Sequence, residues 1–252
     1  MPGTRITLDE AVELTRTGDI WLFRGRTPAD RAIQVTTNSP VNHVGMSVVL
    51  EDLPPLMWHA ELGRSLPDMW TGTHQRGVQL HDLRKAVVVW GNRYGQRAWL
   101  RQLWQPVTKE MEDAVLRTVA RLDGTPFPST ARLAGRWLHG RLPRLRRGAP
   151  VTDGGAAANR GPADRGPADR GAAAAAGAAT ARAATAGAAA AELETAYCAE
   201  VVAITYEAMG LLPSGRRRTH WYDAGRFWSG DDLRLAGDAR LGGEIAVQIP
   251  KS

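Results

Sequence analysis

The chain has a single cysteine, Cys198, among 252 residues, so it forms no internal disulfide and its fold does not depend on an oxidising compartment. No stretch of about 18 apolar residues occurs, which excludes an obvious membrane-spanning helix. Met1 to Glu10 has no apolar run of the secretory kind, so the expectation is a soluble, cytoplasmic, non-exported protein. Phenylalanine is scarce, at 3 residues, but 9 Trp and a 43% hydrophobic share suffice for a real core. Basic residues exceed acidic ones by 32 to 26, a net charge of +6. That surplus admits an anionic membrane surface as a peripheral contact, through Arg141–Arg147 and Gly215–Arg218. No nucleic-acid motif accompanies these clusters, so nucleic acid is not an expected partner.

Between Leu142 and Leu193 aromatic residues vanish. Arg-Gly-Pro-Ala-Asp repeats in tandem at 160–164 and 165–169, and 15 of the 20 residues at 172–191 are alanine. Such a segment has too little apolar area to offset its ordering entropy, and it reads as a flexible low-complexity insertion. With 7 Arg against 4 acidic residues, it supplies +3 of the +6. The expectation is one folded domain built from 1–141 and 194–252.

Within that domain, Thr7–Arg16 reads as a capped helix and Asp19–Phe23 as a strand. Pro28–Thr37 fits a helix opened by proline. His43–Leu50 and Leu56–Ala60 flank a Pro54-Pro55 turn as an antiparallel pair, and Gly77–Leu80 and Val87–Trp90 extend the sheet as short strands. Val107–Leu122 and Thr195–Met209 carry helical apolar periodicity, ended by Gly124 and Gly210. Helices flanking adjacent antiparallel strands define an α+β class.

Cys198 falls near the N-terminus of the last helix, where the macrodipole favours a thiolate. Helical context alone equally describes a buried core cysteine among Val201, Val202 and Thr205. His43 opens one strand, and His59 and Glu61 share a face of the next. An imidazole base for the thiol and a partner that fixes its tautomer are therefore at hand. A capping or edge role is the bland alternative for His43. Zinc coordination by Cys198, His43 and His59 matches no compact spacing, and no metal or other cofactor is expected. His74, His81, His139 and His220 show no usable pattern, and Trp99, Trp104, Trp137, Trp221 and Trp228 read as core or as the wall of an apolar groove.

Six segments occur in an order that resembles the permuted papain-like amidases of the NlpC superfamily, the YaeF/YiiX-like group. They are Gly18–Phe23, Ala32-Ile33-Gln34, Asn42–Met46, Met57–Ala60, Asp123–Phe127 and Tyr197–Val202, and the resemblance covers roughly 16–128 and 194–228. The lecithin:retinol acyltransferase family is a more distant permuted relative. The resemblance implies a permuted papain-like fold, Cys198 as nucleophile, His43 as general base and His59 as the third polar residue. Many permuted relatives carry Glu there, which makes Glu61 the substitute. Tyr197 and the Cys198 N–H are the implied oxyanion donors. The implied activity is hydrolysis of a peptide, isopeptide or lipid amide bond without a cofactor. A lipid acyltransferase or thioesterase using the same dyad is one alternative, and a catalytically inactive binding module is another.

Overall fold

The computed structural model describes residues 4–26, 38–126, 197–214, 221–229 and 233–251, apart from 62 and 64. The expected helix at 28–37 and the insertion at 142–193 lie outside these residues. In chain order the elements are β1 (Arg5–Thr7), α1 (Leu8–Leu14), β2 (Ile20–Arg24), β3 (His43–Val48), β4 (Leu56–Glu61) and β5 (Gly77–Asp82). Then come α2 (Leu83–Tyr94), β6 (Arg97–Arg101), α3 (Lys109–Leu122), α4 (Cys198–Ala208), a 3-10 turn (Ala224–Phe227) and β7 (Ile245–Gln248). The class is α+β, with one seven-stranded sheet in the order β1-β7-β6-β2-β3-β4-β5. Its pairs are antiparallel except for β1 with β7.

Period-2 alternation sorts the strand residues onto two faces. Ile20, Leu22, Val44, Met46, Val48, Trp58, Val78 and Leu80 join the core layer that holds α3 and α4. Trp21, Phe23 and Met57 join the layer with α1 and α2. α4 is buried from Cys198 to Tyr206, as befits a helix apolar on nearly all sides. Trp58 Nε1 donates to Thr205 Oγ1 at 3.0 Å, and Thr205 Oγ1 donates to the Val201 carbonyl at 2.7 Å, so the indole is anchored to α4 without an orphan polar atom.

Val87–Trp90 is helix and not strand, which corrects the sequence expectation. The Val-Val-Val-Trp run has β propensity, but Leu83, Ala86, Val87 and Trp90 fall at helical spacing on the buried face. Asp82 caps the start by accepting the Lys85 N–H, and Gly95 ends the helix at φ +62°. α4 begins at Cys198, three residues later than the expected start. β1, β6 and β7 were not expected at all.

Asp19, fully buried ahead of β2, accepts the N–H groups of Leu103 at 2.8 Å and Arg16 at 2.9 Å. Burial outweighs these bonds and pushes its carboxyl up from 3.8 to about 6. The folded state therefore binds this proton more tightly than the unfolded chain. The contribution is greatest below about pH 4 and is lost as pH rises through 6, a span of roughly 3 kcal/mol at 1.36 kcal/mol per pH unit. Asp19→Asn is expected to remove this falling limb from the difference in urea stability measured between pH 4 and 6. Parallel wild-type and variant profiles would sink the assignment.

Candidate functional site

Three imidazoles, His43 half-buried and His59 and His81 buried, stand in a row on the α2 face of the sheet. His43 comes from the first position of β3, His59 from β4 and His81 from β5, each directed by the same alternation that sends Val44, Trp58 and Leu80 to the other side. Gly45 lies between them, and a Cβ there would run into the Met57 sulfur and stand 3.3 Å from His59 Cβ. Trp90 of α2 covers the row, with ring centroids 5.3 Å from His43, 4.9 Å from His59 and 6.4 Å from His81.

The row is hydrogen-bonded end to end. His43 Nε2 meets His59 Nδ1, His59 Nε2 meets His81 Nδ1, and His81 Nε2 meets Gln79 Oε1, each at 3.1 Å. Gln79 Nε2 donates to the carbonyls of Gln75 and Gly77, so its Oε1 must be the atom that faces His81. An amide oxygen only accepts, and this assigns every proton in the row. His81 carries its hydrogen on Nε2, His59 on Nε2 and His43 on Nε2, which leaves His43 Nδ1 as a proton acceptor. Burial, helped by the neighbouring His81, lowers His43 to about 4, and burial lowers His81 to about 4 despite Asp68. His59, fully enclosed, lies well below its ordinary value for the same reason. All three are neutral at pH 7.

Glu61 ends β4 on the same face, and Ser65 Oγ donates to its oxygens at 2.6 and 2.8 Å. Burial raises its carboxyl, while Ser65, the Trp90 side chain and the charge of His74 pull it down. Nitrogen or oxygen atoms of His59, Glu61 and His81 lie within 4.8 Å of one another, a set able to hold a metal ion. Neither His81 nor Gln79 was singled out from sequence. The signal was present in the spacing, since Gln79 and His81 alternate on β5 as His59 and Glu61 do on β4.

Cys198 lies in the other layer. It is the first residue of α4, is 8% exposed and packs in the core that includes Val44 and Met46. The N–H groups of Val44, Ala199 and Cys198 itself favour its thiolate, but burial dominates and pushes the thiol up to about 11. The structure thus brings His43, His59 and Glu61 to one face and Cys198 to the other. Among the described residues no imidazole hydrogen-bonds the thiol. Tyr197 is buried and gives its hydroxyl hydrogen to the Tyr222 carbonyl at 2.6 Å, which occupies the donor that the oxyanion role would use. Among the described residues the tryptophans do not form one groove wall: Trp99 packs on Trp228 and Trp104 is 70% exposed, while Trp137 lies outside the described residues.

A scan of protein-family models finds none that matches, and a search of curated proteins finds no match. Among solved structures the chain is similar to the metalloprotein yiiX from Escherichia coli O157:H7, with a TM-score of 0.42 and 17% identity over 77% of this chain. The match spans 65% of that protein's length. Among the described residues no helix is long and apolar enough to cross a membrane.

Proposed function

We propose that the chain is a cysteine-dependent hydrolase of amide bonds in a peptide, isopeptide or lipid, with the permuted papain-like arrangement as its fold. The observation that carries this reading is the position of Cys198 as the first residue of α4, where the Val44 and Ala199 N–H groups favour its thiolate. A helix start surrounded by amide donors stabilises a thiolate, and after attack the same kind of donor stabilises the oxyanion. In the reaction the thiolate adds to the substrate carbonyl, the amine leaves with a proton from the imidazolium, and water then cleaves the acyl-enzyme. His43 immediately precedes Val44 and carries the free acceptor Nδ1, so it is the base on this reading. Catalysis requires the His43 ring to leave His59 and the start of β3 to rearrange so that Nδ1 meets the thiol. The same dyad would serve a thioesterase or a lipid acyltransferase.

A second reading, a catalytically inactive binding module, is favoured by the thiol at about 11 and by the sheet between it and the imidazoles. At pH 7 such a thiol is ionised in only ~1 molecule in 10⁴. The test is intact-mass detection of an acyl adduct from amide, ester and thioester probes, together with the pH profile of iodoacetamide alkylation. The hydrolase reading expects a Cys198 adduct that is lost in Cys198→Ser and slowed ~100-fold or more in His43→Ala. An adduct that clears only with an added alcohol or amine places the protein among acyltransferases. No adduct, with an alkylation midpoint near 11 in wild type and His43→Ala alike, overturns catalysis in favour of the binding module.

A further inference from the structure

We propose that His59 Nε2, His81 Nδ1 and a Glu61 carboxylate oxygen form a site for a divalent transition-metal ion of the zinc class. The site lies at the β4–β5 end of the sheet under the 63–76 loop. The two nitrogens are 3.1 Å apart. On an ion with bonds of about 2.0–2.1 Å, two imidazole nitrogens stand ~3.0–3.4 Å apart for angles between roughly 95° and 110°. The separation of the pair therefore already suits the ion, and each ring has to turn by ~35–43° for both lone pairs to point at it in place of the shared hydrogen. Glu61 lies within the same 4.8 Å cluster and has only to close on it.

Each ligand already has the outer partner that metal ligands use for orientation. His81 gives its far N–H to Gln79 Oε1, His59 faces His43 through its far nitrogen, and Glu61 is held by Ser65. Binding moves the His59 hydrogen from Nε2 to Nδ1, where it is donated to His43 Nε2, and the His43 hydrogen shifts to Nδ1. The imidazoles neither gain nor lose protons, so the ion enters without having to strip a charged ligand. Two nitrogens and one carboxylate leave an open coordination position, and imidazole with carboxylate suits zinc and its first-row neighbours. The exposed His74 lies close enough for its charge to act on both Glu61 and His81.

The proposal does not rest on the hydrolase reading, because Cys198 is in the opposite layer. The test is calorimetric titration of the chelator-treated full chain with zinc, with cobalt(II) absorption as the report on ligand geometry. One equivalent is expected to bind and to raise the melting temperature. Gln79→Ala should weaken binding by ~10–100-fold through the loss of an outer partner. Glu61→Gln, a near-isosteric change, should lower affinity and alter the cobalt spectrum, and His81→Ala should abolish tight binding. Cys198→Ser is expected to leave binding unchanged, which separates this outcome from failure of the hydrolase reading. The proposal is overturned if zinc does not bind, if Glu61→Gln and His81→Ala bind it as wild type does, or if Cys198→Ser alone removes it.

Discussion

Replacing Arg101 with methionine is expected to cost ~3–5 kcal/mol of stability, the range for stranding the partners of a buried charge. Arg101 is 6% exposed at the end of β6 and is the knot that ties the C-terminal segments to the sheet. Its Nε donates to the Gly242 carbonyl at 2.7 Å, one terminal nitrogen donates to the Phe227 carbonyl, and the other donates to the Leu241 carbonyl at 3.3 Å. Glu244 Oε1 completes the shell 3.8 Å from Nε. Methionine fills much the same volume but donates nothing, so three carbonyls lose their partner and the Glu244 carboxylate keeps only Ser229. In a chain of this size each kcal/mol shifts the thermal midpoint by ~2–4 °C, so a fall of roughly 6–20 °C is expected. Arg101→Lys keeps the charge but not the fork and should recover only part of the loss. A methionine variant that melts within a degree or two of wild type would show that the C-terminal segments are held by something else.

What could be read in the sequence divides along physical lines. β2, β3 and β4 were legible because each is a short, largely apolar run bounded by Gly or Pro turns, and their observed spans agree closely with the reading. α3 was legible from its apolar stripe and from the stop at Gly124. α2 was misread because three valines in a row carry β propensity, and only the tertiary demand to bury Leu83, Ala86, Val87 and Trp90 decides the matter. β1 and β7 are 3 and 4 residues long and pair across the whole chain, which no local pattern announces.

The candidate site was half legible. His43 and His59 were singled out from the sequence, and the structure hydrogen-bonds them at 3.1 Å. Their separation from Cys198 follows from alternation: with Val44 and Trp58 facing α4, the residues before and after them must face α2. His81 showed no usable pattern in the sequence because the alternation of Gln79 and His81 on β5 gains its chemical meaning only through the pairing of β4 with β5, which sets His59 opposite Gln79.

The same pairing makes Trp90 the residue whose loss should be felt most widely. Its indole packs edge-on to Phe23 at 4.8 Å and spans all three imidazoles, and its side chain favours the charged form of Glu61. Trp90→Ala is expected to cost ~3–5 kcal/mol, the usual price of emptying a buried aromatic position. Trp90→Phe separates the two contributions, since phenylalanine keeps an aromatic ring in the layer but removes the indole N–H that favours the Glu61 carboxylate. A loss no larger than that of one hydrogen bond, ~0.5–1.5 kcal/mol, is expected for this variant. Urea unfolding midpoints of the two variants should therefore fall well apart. If both variants fall equally, the indole N–H carries the stabilisation and the packing does not. If neither falls, the imidazole row stands without its cover and is held by Gln79 and the sheet alone.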